Sequence, residues 1–392
     1  MTENLKPTTA YDIQNLSNLS DATPKIAIIG AGLTGLMTAH LLEQAFVSQN
    51  RALNIVIFEK SAGVGRLATR YKNPEVNRDQ QWQFDFGAQF FTAKSQSFQD
   101  HLQPWLAQGV IEPWLAKTAT IDSTKAPSEI QITGQWDSDQ PRYIGSPKMS
   151  SFGRHLAAVL KHTKIHYRTR VAPLAQSEQT IERTQTHNKT SLVDIEGNDL
   201  GVFDWVICTA PQQQAIELLQ QTDFVHLDRI RQPKMLACYT LMLGWESLSV
   251  LPQTLSHAQW DVLQVSEADA IINRVFVEHH KPGREAILPS ITVHAANQWS
   301  EAQVDEDMTV VQNQLLQAVL SLLDWEDKTA PKLVDCHRWR YAATEHTDDN
   351  KSSEISYVDD NKQWVVTGDW CDEGRIESCF KAATNVVQTI AG

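Results

Sequence analysis

The segment Gly30-Ala31-Gly32-Leu33-Thr34-Gly35 constrains this chain more than any other. A lone G-x-G-x-x-G recurs by chance, but this one stands between two patterned segments. Lys25–Ile29 ahead of it is an unbroken apolar run, as in a strand buried on both faces. Behind it Leu33, Leu36, Met37, His40 and Leu41 repeat at helical spacing. A second apolar run, Asn54–Phe58, closes on Glu59, 24 residues after Gly35. Strand, glycine turn, helix, strand and acid make the βαβ unit that cradles a dinucleotide. Gly30 permits the tight turn, Gly32 lets a pyrophosphate approach the backbone, and Gly35 lets helix and strand pack closely. The helix N-terminus offers free N–H groups and positive potential to the phosphates. Glu59 accepts hydrogen bonds from an adenosine ribose. The competing reading is a plain glycine-rich turn followed by a surface glutamate.

At 392 residues the chain has room for two or three domains. Lys164–Arg168, Asp204–Thr209 and Trp364–Thr367 read as further strands, with helices over 95–110, 150–161 and 308–323. A last helix carries Ile376, Cys379, Phe380, Ala383, Val386, Val387 and Ile390. Segments 235–244, 271–278 and 289–296 alternate, as half-exposed antiparallel strands do. Residues 118–146 are mixed and turn-rich, and 176–190 form a polar loop or hairpin. The expected fold is α/β: a Rossmann-like dinucleotide-binding domain from 24–95, 147–211 and 333–392, with an inserted, mostly antiparallel β-sheet substrate domain from 96–146 and 212–332. Residues 1–23 lack the basic start and apolar core of a signal peptide and read as a disordered tail.

Charge and cysteine usage exclude several classes. A net charge of −13 repels nucleic acid and anionic lipid. The most apolar stretch, 26–42, is interrupted by Gly30, Gly32, Thr34, Gly35, Thr38 and His40, so no membrane span is expected. The five cysteines form no C-x-x-C pair, which suits reduced thiols in a cytoplasmic protein rather than disulfides or zinc. No metal site is expected: His279 and His280 are adjacent, and neighbours on a strand point to opposite faces. No Ser/His/Asp or paired-carboxylate spacing suggests a catalytic base.

Residues 60–70 read KSAGVGRLATR and residues 84–93 read FDFGAQFFTA. Here the chain resembles the flavoprotein oxidases, in which a glycine–arginine segment after the acid runs beside the FAD pyrophosphate. More narrowly it resembles the renalase family and its bacterial members. That resemblance continues in order through Tyr143–Ser151 (YIGSPKMSS), Val293–Ser300 (VHAANQWS), His337–Ala342 (HRWRYA) and Gly368–Glu377 (GDWCDEGRIE). One departure stands out. The family commonly has G-x-G-G-R, whereas Gly63-Val64-Gly65-Arg66 has one glycine fewer.

The resemblance implies non-covalently bound FAD. It places Glu59 and Lys60 at the adenosine end, Arg66 at the pyrophosphate or ribityl chain, and the Val171 backbone at the adenine. Gly368 and Asp369 end the last strand, with Asp369 toward the ribityl hydroxyls. The backbone at Arg375 and Ile376 meets the flavin N1/O2 edge, where the helix dipole favours the reduced form. Bland alternatives stand beside these: a solvated Arg66, a core Val171, a turn-forming Asp369. Gln89, His294, Trp339 and Trp370 are the substrate-face candidates, aromatic faces to sandwich a planar ring and His294 to bond a carboxamide. Core packing is the competing reading for Gln89, Trp339 and Trp370, and a satisfied structural histidine for His294. Cys371 reads as a free thiol rather than a flavin tether. The implied reaction moves a hydride from 2- or 6-dihydro isomers of NAD(P)H to flavin N5, giving NAD(P)+, with O2 reduced to H2O2. No substrate proton must leave, so positioning and a reducible flavin suffice. A flavin-containing amine oxidase on the same fold and a non-catalytic dinucleotide-binding sensor are the other readings.

Overall fold

The computed structural model describes residues 23–75, 80–122, 129–175, 189–267, 270–323, 325–345 and 354–392. The expected tail lies outside these residues except for Thr23, as does most of the polar stretch 176–190.

Two large sheets organise the chain. The first has six strands in the order Thr163–Tyr167, Asn54–Glu59, Lys25–Ile29, Trp205–Cys208, Trp364–Thr367 and Ser356–Asp359. Five run parallel and only the last pairs antiparallel. Parallel strands need cover on both faces, which explains their continuous apolar sequences. Helices Leu33–Ser48, Met149–Val159 and Ile376–Ala391 pack on one face through Leu36, Met37, Phe152 and Val386. The other face meets Ala215, Ile216, Leu219 and Ile230. Lys25–Ile29 sits between the two halves of the sheet, so its glycine turn opens where the crevice of a doubly wound sheet forms.

The second sheet has seven strands: Leu333–Thr344, Met235–Gly244, Ser290–Ala295, Ile272–Val277, Val262–Val265, Lys117–Ile121 and Ile130–Gln135. All neighbours are antiparallel except Val262–Val265 and Lys117–Ile121. Helix Met308–Leu323 covers one face, with Val311, Leu315 and Val319 against Leu241, Val275 and Val293. The opposite face turns toward the first sheet. Met235–Gly244 is therefore buried along its whole length instead of half-exposed. Its alternation separates a helix-facing side from a cavity-facing side, not core from water.

The expected domain limits shift in three places. Leu333–Thr344 pairs with Met235–Gly244 at the edge of the second sheet, although 333–392 was expected in the dinucleotide domain. Conversely, helices Gln212–Leu219 and Leu227–Ile230 share a core with Ala27, Phe58 and Val206 of the first sheet, although 212–332 was expected in the substrate domain. Helix Gln96–Ala107 likewise buries Phe98, Leu102 and Trp105 beside the first sheet. Apolar pattern announces a strand or helix but not the sheet it joins. Among the described residues, no helix is long and apolar enough to cross a membrane.

Candidate active site

The glycine turn does what its spacing requires. Gly30 has φ +111°, a conformation side chains disfavour. A Cβ on Gly35 would run into the Gly30 carbonyl oxygen, whereas one on Gly32 would meet nothing within 4 Å. The backbone at Gly32 thus faces open space, and helix Leu33–Ser48 starts there with no side-chain cap. Its first N–H groups are left for a ligand. Glu59 is buried beside the turn and accepts from the Ala31 N–H (2.8 Å) and the Ser61 N–H (2.7 Å). A carboxylate has about four acceptor positions, so two remain for hydroxyls.

A cavity of about 1260 Å³ runs from this turn to the second sheet. That exceeds the ~300–1,000 Å³ of ordinary small-ligand sites. It is lined by Gly30, Gly32, Glu59, Lys60, Arg66, Val171, Asp369, Arg375 and Ile376 on one side, and by His294 and Trp339 on the other. Arg66 reaches it despite the shortened glycine segment. Gly65 turns with φ +61° against Gly32, and Gly87 is bare where the Arg66 carbonyl approaches. The Arg66 guanidinium donates to Asp369 (2.5 Å) and to the Ala342 carbonyl (2.9 Å). Two candidates 303 residues apart are therefore one ion pair. Beyond Asp369, Gly374, Arg375 and Ile376 bring the N-terminus of the last helix to the cavity wall.

Four candidates do not line the cavity. Gly35 packs helix on turn. Gly368 is bare because the Trp370 indole fills the space a Cβ would need. Trp370 is a correction: it is buried, donates to the Ala210 carbonyl (3.0 Å) and stacks on Tyr357, so it belongs to the core and not to a substrate face. Gln89 lies one layer beneath the wall. Its Oε1 accepts from Lys281 Nζ (2.7 Å), so its amide nitrogen faces the Asp85 carbonyl and His294 Nε2 (3.4 Å). An ammonium only donates, which fixes the amide orientation. His294 Nε2 is then an acceptor, and its proton sits on Nδ1.

Beneath Gln89 is a closed ionic group of Asp85, Glu278, Lys281 and Arg284, with all four side chains fully buried. Lys281 Nζ lies 3.0 Å from Glu278 and 3.3 Å from Asp85, and Arg284 bridges both carboxylates. Thr69 and the Met149 N–H complete Asp85, and Thr292 donates to Glu278. Burial raises the Asp85 carboxyl, but Arg284 and Lys281 beside it outweigh that and hold it below the usual range.

The wall provided by the second sheet carries a row of which the sequence reading held only His294. His337, Thr240, His294, Arg274, Gln264 and Thr120 are register partners across six adjacent strands, and all line the cavity. Their chain neighbours Leu241, Val293, Val275, Leu263 and Ala119 pack on the opposite, helix-covered face. Burial, with Lys281 and Arg274 nearby, pushes His294 down to about 3. Burial and Arg70 push His337 down to about 4. Both are neutral near pH 7. Arg70 donates to His337 Nδ1 (3.2 Å), leaving the proton on Nε2. Trp339 stacks on Phe86 and donates to its carbonyl (2.7 Å), which Thr240 also bonds (2.9 Å). His279 and His280 engage different partners, Ser290 and Asp261.

Residues 137–391 match the flavin containing amine oxidoreductase family, and residues 28–107 match the NAD(P)-binding Rossmann-like domain. The chain belongs to the flavin containing amine oxidoreductase family. Renalase of Mus musculus is 22% identical over 382 residues, spanning 93% of this chain and 98% of the mouse protein. A protein of Exiguobacterium sp. 255-15 superposes with a TM-score of 0.70 at 13% identity. Cyclohexylamine oxidase of Brevibacterium oxydans IH-35A does so at 0.66 and 11%. Each covers 94% of this chain and 99% of its own. At such identities these likenesses establish the fold.

Family membership indicates a flavin, and the residues present fit one. The uncapped helix start at Gly32 suits a pyrophosphate, the free acceptor positions of Glu59 suit a ribose, and a second helix N-terminus closes the far end. Cys379 reaches the cavity, but burial pushes its thiol up to about 12, and Cys371 is buried away from it.

Proposed function

We propose that the chain is an FAD-dependent oxidase of dihydronicotinamide dinucleotides, of renalase type, with the FAD bound non-covalently. In this reading Glu59 and Lys60 hold the adenosine, Val171 borders the adenine, and Gly30 with Gly32 takes the pyrophosphate. Arg66 and Asp369 meet the ribityl chain, and the N–H groups after Arg375 meet the pyrimidine edge. The bound flavin supplies a two-electron acceptor that O2 restores, releasing H2O2. A 2- or 6-dihydropyridine, O2 and one proton become a pyridinium and H2O2. Recovery of aromaticity drives the loss of hydride, and no substrate proton needs a base.

The observation that carries this reading is the sheet wall. It offers hydrogen-bonding groups, including the neutral His294 with Nδ1–H to donate, and no carboxylate among its described residues. Such a wall suits a carboxamide. A protonated amine finds no counter-charge there. The end-to-end similarity to mouse renalase supports the same substrate class. The test is anaerobic mixing of purified protein with amines and with the 2-, 4- and 6-dihydro isomers of NAD(P)H, following flavin absorbance. Fast bleaching by the 2- or 6-isomers is expected, with one H2O2 per NAD(P)+ in air. Faster bleaching by amines would replace this reading with an amine oxidase.

A further inference from the structure

Two cations in the cavity remain unexplained by a flavin or a nicotinamide ring. Arg274 occupies the polar row between His294 and Gln264. Arg142 lies on the small sheet beside it, its guanidinium 4.8 Å from the centre of the Trp136 ring. Arg142 donates to the Gln140 carbonyl (3.3 Å) and Arg274 to Gln264 Oε1 (3.4 Å). These contacts orient the side chains but neutralise nothing. Neither arginine has a carboxylate partner among the described residues. The three carboxylates that line the cavity are engaged elsewhere: Glu59 at the glycine turn, Glu217 facing Arg170 and Asp369 on Arg66. Burial, and then the field of Arg142, lower the basicity of Arg274, so the two charges strain against each other. In a chain of net charge −13, the acidic surface leaves two partly buried guanidiniums unneutralised at this one wall.

We propose that Arg274 and Arg142, with the hydroxyl of Thr120, form an anion subsite that binds a phosphate group of the substrate. The Thr118 hydroxyl already donates to the Gly134 carbonyl (3.3 Å). Guanidinium forks match phosphate oxygens two at a time, and the Thr120 hydroxyl supplies a further donor. The row explains why a phosphate reaches them. From His337 to Thr120 it crosses five strand spacings of ~4.8 Å, roughly 24 Å, far beyond the reach of a small amine. A ring bonded at His294 leaves its phosphate-bearing arm to run along the wall past Arg274. The identity of that ring rests on the dihydronicotinamide reading; the affinity for phosphate does not.

The experiment separates the two. Inorganic pyrophosphate is titrated calorimetrically into the FAD-loaded protein, whose flavin already fills the glycine turn, and into its R274Q, R142Q and R142Q/R274Q variants. In parallel, KM and kcat are compared for a 2- or 6-dihydronicotinamide dinucleotide and for its phosphate-free riboside. Pyrophosphate should bind, and each single variant should weaken it about tenfold or more, the scale of one charge-assisted contact. The dinucleotide should have a KM at least about tenfold below the riboside at similar kcat, and the gap should narrow in the variants. R274K, which keeps charge but not the fork, should fall between. Pyrophosphate binding that survives in R142Q/R274Q, or equal KM values for dinucleotide and riboside, overturns the subsite and leaves the oxidase reading standing. Arginine-dependent pyrophosphate binding with neither substrate oxidised supports the subsite and overturns the substrate assignment instead.

Discussion

Replacing Lys281 by Met tests the buried ionic group and its link to the cavity together. Asp85, Glu278, Lys281 and Arg284 balance at zero net charge, with every side chain removed from water. Removing the ammonium leaves two carboxylates facing one guanidinium. An uncompensated buried charge of this kind costs about 3–5 kcal/mol. At ~2.1 cal/mol/K per residue, a chain of 392 residues loses roughly 4–6 °C of melting temperature for that cost. The substitution also frees Gln89, whose amide is oriented by Lys281 at 2.7 Å, so His294 loses the donor that fixes its tautomer. Scanning calorimetry of the flavin-loaded protein at one scan rate gives the first effect; substrate KM gives the second. K281M/E278Q restores the charge balance and should melt above K281M. A K281M protein melting within about 1 °C of the parent, or a double variant melting lower than K281M, refutes the argument that charge balance holds this group in place.

Glu59→Ala removes the ribose acceptor and the partner of two loop N–H groups, and should weaken FAD retention about ten- to hundredfold while changing turnover of the loaded enzyme little; equilibrium dialysis of FAD checks it. His294 and His337 titrate near 6.5 when unfolded and near 3 and 4 when folded, so the unfolded chain binds more protons between these values and stability falls as pH drops below 6.5. From pH 6.5 to 5 the more deeply buried His294 contributes up to about 2 kcal/mol of that loss and the solvent-screened His337 less, and urea midpoints for H294N should show a flatter acid limb than the parent. The same shifts keep both rings neutral above pH 5, so kcat/KM should show no histidine limb between pH 6 and 8. Acid precipitation should release FAD intact, leaving Cys371 and Cys379 unmodified by mass spectrometry; yellow colour retained on the denatured chain contradicts the non-covalent assignment.

The glycine-turn side of the cavity was readable because its signals are local. A glycine turn, the strand before it and the acid that ends the next strand lie within 35 residues, so the sequence alone shows that they adjoin. Asp369 and the helix after Arg375 were readable for the same reason, since a strand end and a helix start adjoin. The wall from the second sheet was not readable. Thr120, Thr240, Gln264, Arg274 and His337 come from five strands, and register, not sequence proximity, aligns them with His294. Trp370 misled because it follows Asp369 directly, yet the missing side chain at Gly368 folds the indole inward. Gln89 was found in the right region and on the wrong layer. Its short reach to Lys281 depends on a contact 192 residues away.

Because the polar row crosses the strands, each of its members sits on a different strand and can be exchanged without shifting the rest of that strand. A change at Thr120 alters one point along the wall, while Ala119 and Ile121 beside it in the chain keep their places under the covering helix. Substrate range can therefore drift one rung at a time without a second mutation to repair the core. Insertions behave oppositely. One extra residue in any of these strands would turn its rung toward the helix and bring a neighbouring side chain, such as Val293, Leu263 or Ala119, into the cavity. Substitution tunes this wall and length change destroys it, so the loops between its strands, and not the strands, are where homologous chains can differ in length and keep the chemistry.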